Sequence, residues 1–207
     1  MLKLAIKLVA VLAIVAGLSH SPAAKAGVIS PSVNGGGCCA GYLRGYWFQT
    51  PTDFTIDSIW LNTGSGLSTS FTLQVLKLNA PVPGWPAATT DFVSLGYFTN
   101  VNGALNVNYS FSANDYVGLL AFDQRLNLTP YSNQSAQNIN GMSVTLTRLL
   151  RQSLIANVGV SSEAGGNLGA IGFSYNNTPG NTVTSAGSLA LTLLGATLLG
   201  FARRRKA

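Results

Sequence analysis

The sequence predicts an all-β chain, a single antiparallel β-sandwich of jelly-roll type, and three observations predict it. Apolar and polar residues alternate with a period of two over several stretches, the pattern of a strand with one buried and one wet face. Gly, Asn, Ser and Thr punctuate those stretches in turn-forming clusters. Helix formers are scarce: between residues 27 and 180 there is one glutamate, Glu163, and one lysine, Lys77, whereas Val, Ile, Thr and aromatic residues favour strands.

In chain order, the first strand signals are the apolar runs Tyr46–Phe48 and Phe54–Leu61. Phe71, Leu73 and Val75 then interleave with Thr72 and Gln74. Phe92–Phe98 follows, then Leu105, Val107, Tyr109 and Phe111 alternating with Asn106, Asn108 and Ser110. Tyr116–Phe122, the alternating set Met142, Val144 and Leu146, and Leu168–Tyr175 complete the series. Turn chemistry separates them at 62–66, Asn102-Gly103, Asn140-Gly141 and 165–167. Asn102-Gly103 lies between two apolar runs and predicts a β-hairpin. The stretch 147–156 suits a short helix or a strand, and strand is preferred because β pattern runs into it from Met142. Eight or nine strands at this spacing suit a sandwich. The expected organisation is a leader over 1–26, a sandwich over 27–180 and a C-terminal segment over 181–207.

Charge separates the ends from the body. The chain carries +6 overall. Lys3, Lys7 and Lys25 lie in the first 26 residues, and Arg203, Arg204, Arg205 and Lys206 close the chain. The five bases and six acids between them leave the body at −1. A basic nucleic-acid surface on the body is therefore not supported, and no nucleic acid is expected as a partner. The sole histidine, His20, lies in the leader. Its removal with the leader excludes Ser-His-Asp and Cys-His catalysis and His-ligated metal.

The leader reads as a secretory signal peptide. Lys3 and Lys7 precede an apolar run, Leu8 to Leu18, and Ala24-Lys25-Ala26 is a small-x-small site. Cleavage is expected between Ala26 and Gly27. At the other end, Gly187 to Ala202 holds no charge. As a helix this segment would rise roughly 24 Å, and with the uncharged stretch from Val183 it reaches the length of a transmembrane span. The basic residues behind it should stay in the cytoplasm.

The Gly187-Ser188-Leu189-Ala190-Leu191 start and the Arg203-Arg204-Arg205 end resemble the PEP-CTERM sorting signal of Gram-negative bacteria. That resemblance implies insertion into the inner membrane, processing by an exosortase-type membrane protease, and delivery to the cell surface or beyond. Thr184-Ser185-Ala186 stands where the family has Pro-Glu-Pro, so release by such an enzyme is expected to be slow or absent. The body, through 44–56 and 144–149, also resembles a group of PEP-CTERM ectodomains. These are β-rich and associated with extracellular polysaccharide, which implies polysaccharide as a partner and a structural or adhesive role in that layer.

Chemistry-bearing residues are few. Cys38 and Cys39 are the only cysteines. Adjacent Cα atoms stand about 3.8 Å apart, short of the usual disulfide span of about 4.4–6.8 Å. A ring between them, free thiols, or a link to another chain all stay open. Asp53 and Asp57 on one strand would stand roughly 13 Å apart at about 3.3 Å per residue, too far for a glycosidase pair needing about 5–9.5 Å. Pairing through the fold, as of Asp115 with Asp123, is left open by sequence. Calcium is the one ion that loop acids could hold, but the spaced Asp pattern of a calcium loop is missing. No catalytic residue, metal site or cofactor is expected. The binding candidate is Trp85, set between prolines in Pro83-Gly84-Trp85-Pro86, where a loop indole could stack on a sugar. Trp47 and Trp60 lie in apolar runs and are expected in the core.

Overall fold

The structure, a computed structural model, describes residues 26–177 of the chain. The leader before Ala26, Thr184-Ser185-Ala186, Gly187 and the arginine cluster lie outside the described residues. Within them the chain is all-β, and every strand ladder is antiparallel.

Two sheets dominate. One has four strands in the order β1 (Ala26–Ile29), β15 (Ile171–Asn176), β4 (Phe54–Leu61) and β7 (Leu105–Phe111). The other has six: β13 (Ser161–Glu163), β12 (Thr147–Arg151), β3 (Leu43–Gln49), β8 (Tyr116–Asp123), β5 (Phe71–Leu78) and β6 (Phe92–Val101). A small sheet joins β14 (Leu168–Gly169), β9 (Thr129–Ser132) and β2 (Gly37–Cys38), and β10 (Ala136–Ile139) pairs with β11 (Met142–Thr145).

Alternation sets the core between the two large sheets. Phe71, Leu73 and Val75 of β5, and Val117, Leu119 and Ala121 of β8, face Ile56, Ile59 and Leu61 of β4 and Ile171 and Phe173 of β15. Aromatic rings fill one end: Phe48 stacks on Phe173 at 6.0 Å, and Phe54 meets Phe111 and Tyr175 at 5.7 Å. Tyr46 donates its hydroxyl to the Ile171 carbonyl at 2.8 Å, bonding one sheet to the other. Burial pushes that hydroxyl far above its ordinary pKa, so it stays a donor.

The six-stranded sheet is apolar on its outer face as well. Leu43, Leu76, Leu78, Leu120, Phe122 and Leu149 point outward there and are capped by Val82 and Val160. The segments bringing those caps are stitched together: Thr89 and Val160 exchange backbone hydrogen bonds at 2.9 Å, and Trp85 N–H donates to the Ser162 carbonyl at 2.8 Å. This double coverage explains the continuous apolar runs of β3 and β8, which a one-sided strand would not show.

Three expectations are corrected. Asn102-Gly103 turns the chain, with Gly103 at φ +70°, but β6 and β7 do not pair. Each docks on a different open edge, β6 on β5 and β7 on β4, so the turn is an arch between layers. The turn residues specify the reversal, whereas free backbone donors and acceptors on the two edges decide the partner. The 147–156 stretch is strand only to Arg151; beyond it the chain leaves the sheet. The β11–β12 run is also broken at Leu146, whose N–H donates to Ser135 at 2.7 Å while its side chain enters the core. More strands form than the eight or nine expected, because pieces of two to four residues such as β2, β13 and β14 are too short to alternate visibly.

Candidate functional site

The carboxylates are occupied by the fold. Asp53 accepts the Ala113 N–H at 2.7 Å, Asp123 the Leu126 N–H at 2.7 Å, and Asp91 the Asn79 amide at 2.6 Å. Asp57 accepts from Asn176 at 2.7 Å. Asp115 pairs with Lys77 at 2.7 Å and Glu163 with Arg148 at 3.0 Å. Asp115 and Asp123 stand at opposite ends of β8, roughly 26 Å apart at about 3.3 Å per residue. Among the described residues no three of His, Cys, Asp and Glu gather as a metal centre.

Cys38 and Cys39 are joined to each other as a vicinal disulfide. Cys38 pairs with Thr129 in β2–β9, and Cys39 turns the chain with φ +83°. Trp85 is 53% exposed on its loop, as a binding residue requires, and that loop is pinned by Ser162, whose N–H and hydroxyl both donate to the Pro83 carbonyl.

Trp47 and Trp60 depart from the core positions expected for them. Both are only half-buried, and both face outward. Trp47 follows Tyr46 and precedes Phe48, whose rings point into the core, so alternation sends its indole to the outer face of the six-stranded sheet. There it packs beside Tyr116 in an edge-to-face pair, with centroids 5.9 Å apart and planes at 63°. Tyr116 opens β8 directly opposite Gln49, the last residue of β3.

These two rings line a groove of about 420 Å³. Gln49 closes one end, Ser143, Thr145 and Thr147 supply hydroxyls along β11 and β12, and Pro81 enters from the loop after β5. Thr147 sits opposite Trp47 in the ladder, so its hydroxyl lies beside the indole. Trp47 Nε1 is buried and has no hydrogen-bond partner. A buried indole N–H normally finds one; this donor lies beneath the surface, so the indole offers the groove its exposed ring area and not its N–H. The groove thus offers two ring surfaces and a rim of neutral hydroxyl and amide groups, with no charged residue in its lining.

Sequence reasoning placed the binding bet on Trp85 and missed Trp47 and Tyr116. A signal existed: Trp47 has the opposite parity to Tyr46 and Phe48. It was masked because the outer face also carries a hydrophobic cluster, which makes the whole run look like core. No family model, curated protein or solved structure matches the chain.

Proposed function

We propose that this chain is an exported protein of the bacterial cell surface or extracellular matrix, holding neutral polysaccharide without transforming it. Its role in this reading is structural and adhesive. The two facing sheets support a β-sandwich of the jelly-roll kind as the ectodomain. The leader and the PEP-CTERM-like C-terminus supply the route: export across the inner membrane of a Gram-negative bacterium, anchoring, and contact with an exosortase-type protease. Cleavage after Ala26 would remove the first residue of β1, which pairs with Asn176, and leave Gly27–Ile29 paired with Phe173–Tyr175 of β15.

The Trp47–Tyr116 groove is the observation that supports binding. A sugar ring has apolar faces and a hydroxyl edge. The indole and phenol suit the faces, and Gln49, Ser143, Thr145 and Thr147 suit the edge. The ligand is read as neutral because the lining is neutral. One such contact is worth about 0.5–1.5 kcal/mol beyond area burial, so a single site is weak, and retention depends on a repeating polymer meeting several copies.

Affinity electrophoresis of the full-length protein, in gels cast with the producing bacterium's own extracellular polysaccharide, tests this reading. Retardation is expected to weaken on Trp47→Ala and to persist on Trp85→Ala. A wild-type protein that migrates equally with and without polymer contradicts the proposal, and retardation lost only on Trp85→Ala moves the site to the loop.

A further inference from the structure

The outer face of the four-stranded sheet lies on the side of the molecule opposite the groove. Alternation puts Val28, Thr55, Ser58, Trp60, Asn106, Asn108, Ser110, Gly172, Ser174 and Asn176 on it, their neighbours being core residues.

Register aligns these residues in rows. Asn176, Thr55 and Ser110 form one row, and Ser174, Ser58 and Asn106 the next. Within the rows, Thr55 and Ser110 hydroxyls meet at 2.9 Å and Ser58 and Ser174 hydroxyls at 2.8 Å. In each pair one O–H donates to the other oxygen. Ser58, Ser110 and Ser174 keep hydroxyl capacity at the accessible surface for another molecule, whereas Thr55 is buried beneath its pair. Asn106, Asn108 and Ser110 are exposed along the sheet edge.

The third row is Gly172 opposite Trp60. A Cβ on residue 172 would overlap the indole at Nε1 and Cε2. The indole therefore lies across the glycine backbone, with one ring face against the strand, and only glycine permits it. That contact fixes the side chain before any ligand arrives, so little rotamer entropy remains to be lost. Trp60 stands roughly 13 Å along the strand from the Thr55 row, at about 3.3 Å per residue with one residue taken up by the bulge between Ile56 and Ser58. The face holds no base, and its one acid, Asp57, is engaged by Asn176.

We infer that this face is a second polysaccharide-binding surface, centred on Trp60, and that the protein cross-links neutral polymer chains by gripping one on each side. The inference rests on the reading that the chain holds polysaccharide, and adds a site independent of the groove. Facing sheets pack about 10 Å apart with their outer faces turned away from each other. A short ligand segment cannot fill both sites, and two strands of polymer can. The occupant is a neutral glycan because the face has no base to hold an acidic polymer, carries one carboxylate that would repel it, and is otherwise lined with hydroxyls and amides around the Trp60 ring.

The test uses full-length protein in mild detergent with the producing bacterium's purified extracellular polysaccharide. Wild type is expected to raise the viscosity of the polymer solution. Trp60→Ala and Trp47→Ala should each weaken gel retardation by about 2- to 12-fold, and each should abolish the viscosity rise. Wild-type behaviour of Trp60→Ala in both assays overturns the inference and leaves the groove standing. Loss with Trp60→Ala but not with Trp47→Ala removes the groove and overturns cross-linking between the two faces. A variant with Trp47→Phe and Trp85→Phe retains Trp60 as its only tryptophan and does not depend on replacing it. Polymer should shield that indole from acrylamide quenching, and unchanged quenching overturns the inference. Self-association of the wild type without polymer, abolished by Trp60→Ala, also overturns it and assigns the face to a second copy of the chain.

Discussion

Gly45 shows how closely single residues are constrained in the six-stranded sheet. A Cβ there would overlap the Leu119 carbonyl oxygen of the neighbouring strand, and no flexible side chain is present to yield. Gly45→Ala is predicted to cost about 3 kcal/mol or more, beyond the usual range for overpacking because backbone must move. Urea unfolding measures this, and a midpoint near wild type would contradict it. Arg151 presents the opposite problem, a charge where none is needed. It is fully buried on the outer face of the same sheet, over the Phe92 ring at 5.5 Å, and donates to Gln74. Neither ion pair among the described residues includes it, and its Nε and Nη2 have no partner. Desolvation lowers its pKa to about 10, well below the ordinary guanidinium value, with Tyr97 opposing the shift. The native state thus holds this proton less tightly than the unfolded chain. The charge costs stability at every pH below about 10, and that cost lessens only as pH rises above it toward the ordinary guanidinium value. Near neutrality Arg151 contributes no pH dependence. Arg151→Met is predicted to leave thermal stability at pH 7 unchanged or raised, and a clear fall in Tm would show that the guanidinium has a partner worth more than its desolvation.

Strands differ in how far they are secured. β3, β8 and β5 are each paired on both sides and covered on both faces. The 152–158 segment is mostly exposed, with Ile155 67% accessible, and hangs on side-chain bonds such as Gln74 to the Ala156 carbonyl at 2.9 Å. Hydrogen exchange should therefore be slowest in the three central strands and fastest across 152–158. Early exchange in β8 would contradict the layered core. The same distinction explains what could be read from sequence. β5 and β7 alternate cleanly and were legible, as were the turns at Asn102-Gly103 and Asn140-Gly141, where positive φ at Gly103, Asn140 and Gly141 demands such residues. The choice of edge for β6 and β7 was not legible, because pairing partners far apart in sequence leave no local trace. The groove was hidden for a related reason: Trp47 and Tyr116 are brought together only by the β3–β8 register, and their apolar surroundings on the outer face imitate a core.

At the scale of the whole molecule, the two large sheets turn one face each toward a common core and one away. The outward faces differ. One is apolar, largely covered by loops, and carries the Trp47–Tyr116 groove; the other is a ladder of hydroxyls and amides around Trp60. With the body at −1, the field around the domain is weak, so under the proposed function capture would rely on stacking and short hydrogen bonds and should be little affected by salt. The central claim is that the groove around Trp47 receives sugar. Its most direct measurement is the indole N–H resonances of full-length protein labelled with 15N-tryptophan, titrated with oligosaccharides released from the producing bacterium's extracellular polysaccharide. Trp47 Nε1–H, buried beneath the groove surface, is predicted to shift as a sugar ring stacks on its indole, while the exposed Trp85 signal stays in place. A Trp47 signal that does not move at saturating oligosaccharide, or a shift confined to Trp85, would contradict the account.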